Sequence, residues 1–160
     1  MAIRQEGNGD WKTLEEDLAL NYFSWDTRST PDGVYRARVT ARDLPANSEA
    51  TGLSGSKTSE PFVVDNTAPE LVRFGAEREG ERLRVRAEAR DALSVLRTAE
   101  VTLNAVDWAP VDPADEIFDA AAEEFDFTVA PEGNGEGEEI VGFRVFDRAG
   151  NAAIGKAVVR

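Results

Sequence analysis

Side chains able to do chemistry at neutral pH are few in kind here, and that bounds the function first. The 160 residues include no cysteine and no histidine. Thiol nucleophiles, disulfides, zinc-finger ligation and Ser-His-Asp hydrolysis are thereby excluded. What remains is carboxylate chemistry, with 31 Asp and Glu against 18 Lys and Arg. A glycosidase needs two carboxyl groups facing each other across a cleft, and no spacing singles out such a pair. Ligation of a hard cation is the nearer alternative, since calcium gathers roughly six to eight oxygens in flexible geometry. Asp91, Asp147 and Asn151 fall at strand ends and turns and are the calcium candidates. Asp107, Asp112, Asp115 and Asp119 form a second acidic cluster. Neither set has EF-hand spacing. Asp147 also has a plainer use, capping its own turn by accepting backbone N–H bonds, and Asp43 and Asp65-Asn66 read the same way. No cofactor is expected beyond that calcium candidate. Trp11, Trp25 and Trp108 could stack on a sugar ring, although tryptophans in small β domains are expected in the core.

The net charge of −13 favours solubility and opposes binding to nucleic acid or anionic membrane. The acidity is global: residues 1–66 carry 7 basic and 11 acidic side chains, residues 67–160 carry 11 and 20. No apolar run approaches the roughly 20 residues that span a bilayer, and residues 1–6 have no apolar signal-type segment.

The elements that would position these groups are strands. Residues 2–14 read as a hairpin around Gly7-Asn8-Gly9-Asp10. Thr13 to Glu16 also matches a capping box, which predicts a single helical turn over 14–19. Residues 22–25 form a short aromatic strand, and residues 26–33 a loop with a Pro-Asp-Gly turn. Residues 34–43 alternate Tyr35, Ala37, Val39 and Ala41 with Arg36, Arg38, Thr40 and Arg42, one face for a core and one for water. Residues 44–56 are loop, and 57–64 a strand ending at Asp65-Asn66-Thr67 and Pro69. In the second half, 71–74 starts a strand and 75–80 is a charged turn. Residues 81–91 alternate Leu83, Val85, Ala87 and Ala89 with Arg82, Arg84, Arg86, Glu88 and Arg90. Residues 98–105 alternate again, and 104–108 turn into a short strand. Pro110 and Pro113 argue against regular structure, and Asp115 would cap a short helix through Ala120 to Ala122. Residues 125–129, 139–147 and 152–159 complete the strands, with a Gly-rich turn over 131–137 and a tight turn over 148–151. The second half thus has seven strand candidates, the number of an immunoglobulin-like sandwich. The first half has about five.

Asp32-Gly-Val-Tyr-Arg-Ala-Arg-Val-Thr-Ala-Arg-Asp43 resembles the F strand of a fibronectin type III domain, with Tyr35 at the place of that family's tyrosine corner. Trp11, Trp25 and the closing Glu60 to Pro69 stretch resemble bacterial fibronectin-type and Ig-like modules at the ends of large extracytoplasmic proteins, often after a β-propeller. The second half is similar to bacterial Ig-like domains that close with an Asp-x-x-Gly-Asn turn, here Asp147, Gly150 and Asn151. The resemblance implies an all-β chain of two immunoglobulin/fibronectin III-like β-sandwich domains in tandem, residues 1–66 and 67–160. It implies that the first lacks two leading strands, because a domain of this type needs about 100 residues. An uncovered edge of that kind invites self-association or a partner strand. At the position of Tyr35 the second half has Glu139, so a tyrosine corner is not expected there. The implied role is a non-catalytic structural or interaction module, extracellular or periplasmic, with a protein or polysaccharide ligand as the alternative.

Overall fold

The computed structural model describes residues 1–44, 46–48, 50–131 and 137–160. The chain is all-β, and it forms two compact units, Met1–Asp65 and Asn66–Arg160.

The first unit is one antiparallel sheet. Strands β1 (Ala2–Gln5) and β2 (Lys12–Thr13) make the hairpin, and β1 lies against β3 (Gly33–Arg42). The far edge of β3 is shared by two short strands, β4 (Ser54–Thr58) and β5 (Phe62–Val64). The single strand expected over 57–64 is therefore broken. Ser59 fills the break: its Oγ accepts from Ala37 N at 3.0 Å and its own N–H donates to Ala37 O at 2.8 Å. Pro61, which has no N–H to give the ladder, follows. Ile3, Tyr35 and Val64 are the buried core, with Leu14, Trp25, Ala37 and Phe62 packed against them. The aromatic rings meet edge to face, Trp25 at 6.4 Å from Tyr35 and 6.3 Å from Phe62. The Tyr35 hydroxyl donates to the Pro31 carbonyl at 2.7 Å, so the ring is pinned at both ends.

Two expectations for this unit are corrected. Residues 14–19 form no helical turn; among the described residues the one helical turn is a 3-10 turn at Thr27–Ser29, capped by Asp26, which accepts from Arg28 N. Residues 22–25 are not a strand either. Their aromatic side chains suit a strand, but a strand needs a ladder partner, and the described residues provide none on that side.

The second unit is a sandwich of seven strands. One sheet has the order β10 (Ala122–Val129), β7 (Arg82–Arg90), β6 (Glu70–Glu79). The other runs β12 (Ala152–Val159), β11 (Glu139–Asp147), β8 (Leu96–Leu103), β9 (Trp108–Val111). The period-two pattern of β7 is met: Leu83, Val85, Ala87 and Ala89 are buried and the arginines face out. Between the sheets, Phe143 stacks on Phe74 at 5.7 Å and meets Phe125 edge-on at 5.0 Å. Leu96, Ala99 and Val145 close around them. A second cluster of Leu83, Val85, Val101, Val141 and Val159 continues the layer.

Three further corrections concern this unit. Residues 75–79 are strand, not turn: β6 pairs with β7 as far as Glu79↔Arg82, and the two residues Gly80, at φ +64°, and Glu81 turn the chain. Pro110 sits inside β9, which is tolerated because β9 is an edge strand. No helix forms over 115–122, because the polar groups there bond outwards. The buried Glu123 carboxylate accepts from Asp119 N and Ala120 N, while Ala120 O and Ala121 O accept from Leu96 N and Asp91 N. The Gly-rich turn expected over 131–137 falls largely outside the described residues.

Candidate functional site

Of the predicted calcium candidates, the second unit brings Asp91, Asp147 and Asn151 to one end of the sandwich. Asp91 follows the last residue of β7, and Asp147 ends β11. A carboxylate oxygen of one comes within 4.8 Å of a carboxylate oxygen of the other. Each is bound into its own turn. Asp91 Oδ1 accepts from Leu93 N at 2.8 Å and Ser94 N at 2.7 Å. Asp147 is almost wholly buried; its Oδ1 accepts from Gly150 N at 2.6 Å and Asn151 N at 2.8 Å, and its Oδ2 from Asn151 Nδ2 at 2.8 Å. Gly150 takes φ +95°, a conformation open to glycine, and so aims its N–H at the carboxylate. These donors balance the buried negative charge and account for the residue types at 147, 150 and 151 as turn chemistry. Asp107, Asp112, Asp115 and Asp119 are exposed and, among the described residues, do not converge.

The three tryptophans differ in placement. Trp25 packs in the first unit's core. Trp11 is half-buried between two arginines, with the Arg38 guanidinium 4.3 Å and the Arg4 guanidinium 4.9 Å from its ring. Trp108 departs from the core expectation: it lies on the outer face of the four-stranded sheet, about a third exposed. Gly142 makes room for it. A Cβ there would stand 2.7 Å from Thr102 Cγ2 and 3.4 Å from the Trp108 ring. The Arg144 guanidinium covers the ring at 4.1 Å and is itself paired with Glu100. Around this stack the sheet exposes Ile140, Ile154 and Val158. The register sets Ile140 beside Val158 and Arg144 beside Ile154. Alternation in β12 carried the signal for this apolar outer face; the extent of the face could be seen only once the strands were laid side by side.

The other sheet's outer face is charged. Arg84 grips Asp126 with two bonds, Nε to Oδ1 at 2.7 Å and Nη2 to Oδ2 at 2.8 Å. This holds the Asp126 carboxyl below the usual carboxylate range. Arg90 with Glu70 and Arg73 with Glu88 extend the row. Such exposed pairs are screened by solvent and add little to stability.

No protein-family model matches the chain, and no curated protein is similar enough to match it.

Proposed function

We propose that the chain is a non-catalytic structural and interaction region of a larger surface or secreted bacterial protein, its two β modules acting as a spacer that presents docking surfaces. The observation that carries this reading is the outer face of the four-stranded sheet. On a chain of net charge −13, that face displays Ile140, Ile154 and Val158 to solvent. Ile140 and Val158 adjoin in the register, and Lys156 stands between Val158 and Ile154 on the same face; adjoining exposed apolar groups favour a surface that meets another molecule. The fibronectin-type resemblance supports the extracytoplasmic placement.

A second reading, polysaccharide binding, is favoured by Trp108 alone, because an exposed indole can stack on a sugar ring. Arg144 already occupies the stacking position on one side of that ring, which makes this the weaker of the two. A glycan array with the whole chain separates them. The expected result is no retained glycan. A glycan held by the wild type and lost in Trp108→Ala, at unchanged melting temperature, would put polysaccharide binding first.

A further inference from the structure

Two matching sheets, one in each unit, differ in the chemistry of their outer faces. Asn47 donates to Asp43 at 2.7 Å, and Asn151 donates to Asp147 at 2.8 Å, four residues further on in each unit. With Asp43 set against Asp147, β3 falls against β11. The sheet orders agree as well: β2-β1-β3-β4 in one unit, β9-β8-β11-β12 in the other. Where β11 has Ile140, Gly142 and Phe146 on its outer side, β3 has Arg36, Arg38 and Arg42. The register sets Arg4 beside Arg36, Thr58 beside Arg38 and Ser56 beside Thr40. This face points away from Ile3, Tyr35 and Val64, so a layer packed on that core would leave it open.

We propose that this basic face of the first unit docks an extended acidic segment of another protein, one that carries carboxylates at alternate positions. The first support is a pair of guanidinium groups held ready. Arg4 and Arg38 stack on one indole, that of Trp11, at 4.9 Å and 4.3 Å. Stacking orients a guanidinium and leaves its in-plane N–H donors open. Neither of the two has a hydrogen bond or an ion pair among the described residues, and neither has Arg42. The chain has 31 acidic side chains against 18 basic ones. Even so, Glu6, bound to Arg36 at 3.0 Å, is the one carboxylate paired with this face among the described residues.

The second unit shows what such a row of arginines takes up. On the outer face of its three-stranded sheet Arg73, Arg84, Arg86 and Arg90 each meet a carboxylate. Arg84 does so with two parallel bonds, the geometry in which a guanidinium matches a carboxylate. Spacing then points to a polypeptide. Arg36 and Arg38 are two residues apart on one strand, roughly 7 Å, which is also the spacing of same-side side chains in an extended segment. The neighbours on β4 are the small, exposed Ser54, Ser56 and Thr58, so nothing bulky keeps such a segment off the sheet. A net charge of −13 opposes a densely charged polymer such as nucleic acid, and a second copy of the chain would bring the same charge.

This inference rests on the interaction-region reading only in requiring that a partner protein exists. Its test uses the full chain and a labelled peptide that alternates glutamate with serine, beside the same peptide with glutamine for every glutamate. Binding is followed by fluorescence anisotropy. The glutamate peptide should bind and the glutamine peptide should not, and added salt should weaken the complex. Arg4→Gln with Arg38→Gln should weaken it at least about tenfold. Arg84→Gln, in the second unit, should leave it unchanged. Should the double variant unfold, Arg42→Gln serves instead, since Arg42 has no partner among the described residues to lose, and should weaken binding about threefold. No binding at about 1 mM peptide, equal binding of both peptides, or an affinity unmoved by the arginine substitutions overturns the proposal. The last of these would leave the stack on Trp11 as a brace for the hairpin. Tighter binding of an oligogalacturonate of equal charge assigns the face to a polysaccharide and overturns it. Self-association of the chain that the double variant removes assigns it to a second copy and overturns it too. A glycan found at Trp108 would change the general reading and leave this outcome untouched.

Discussion

Two strands, β3 and β11, occupy the same place in their sheets and have different fates. Along β11, Val141, Phe143 and Val145 are fully buried. The positions set against them in β3 are Ala37, Val39 and Ala41. Ala37 is half-buried, Val39 is 49% exposed and Ala41 is exposed. The alternation is equally regular in both, so local pattern does not explain the contrast. β11 faces a second sheet of three strands; β3 faces a coil that covers one end with Leu14 and Trp25. Tyr35, tied to Pro31, anchors the covered end. Burial is therefore a property of the opposing layer, and a strand shows only that it is ready for one.

The sharpest way to break the comparison is to cut the matched residues. Phe143→Ala should cost about 3–5 kcal/mol, because the ring contacts Phe74, Phe125 and Phe127 and nothing nearby can fill the void. Val39→Ala should cost about 0.5 kcal/mol or less, the value of a surface site. Differential scanning calorimetry would read both. Two transitions are expected, with Phe143→Ala moving only the upper one. The first unit, with three fully buried apolar residues among those described, should give the lower. Equal shifts from the two substitutions would mean that β3 is covered in solution.

What could be read from the chain follows the same division. Alternation was sufficient for β3, β7 and β11, because period two is written in the residues themselves. It failed wherever the outcome depended on a partner. Residues 22–25 have strand-type side chains and no ladder. The break at Ser59 depends on a hydroxyl reaching Ala37 N across the sheet. The helix expected from Asp115 through Ala122 gave way to Glu123, whose carboxylate claims the N–H groups of Asp119 and Ala120. Of the candidate site, Asp147, Gly150 and Asn151 were legible as a turn, since their bonds are local. The meeting of Asp91 with Asp147 comes from strand ends 56 positions apart in the sequence. The outward placement of Trp108 depended on Gly142, which no local pattern connects to it.

A smaller difference is expected at the paired Asp–Asn turns. Asp147 accepts three N–H donors and is almost wholly buried. Asp43 accepts from Leu53 N at 2.7 Å and Asn47 Nδ2, and it is half-buried. Hydrogen bonds to a charged acceptor are worth about 1.5–3 kcal/mol when buried donors are left behind. Asp147→Ala should thus lower the upper transition by that order, and Asp43→Ala should lower the first by less, near 1 kcal/mol. If the two losses were equal, burial would not be what separates these turns.

The smallest effect is electrostatic, and it too divides the units. Asp126 in the second unit is held below the usual carboxylate range by the hydrogen bonds from Arg84. Asp26 in the first is lowered to about 2 by the side chain and N–H of Arg28, two residues away. A carboxyl whose pKa is depressed in the folded state stabilises that state above its unfolded value, near 3.9, and the contribution fades as pH falls through the lowered folded value. Both groups are exposed, so the effect is modest and screened by salt. They differ in range. Asp126 and Arg84 are 42 residues apart and meet only when the second unit is folded. Asp26 and Arg28 can meet in the unfolded chain as well, which cancels part of the linkage. Asp126→Asn should therefore flatten the pH dependence of the upper transition below about pH 4, while Asp26→Asn should leave the lower one nearly unchanged. A steeper change from Asp26→Asn would mean that its turn is rigid only in the folded first unit.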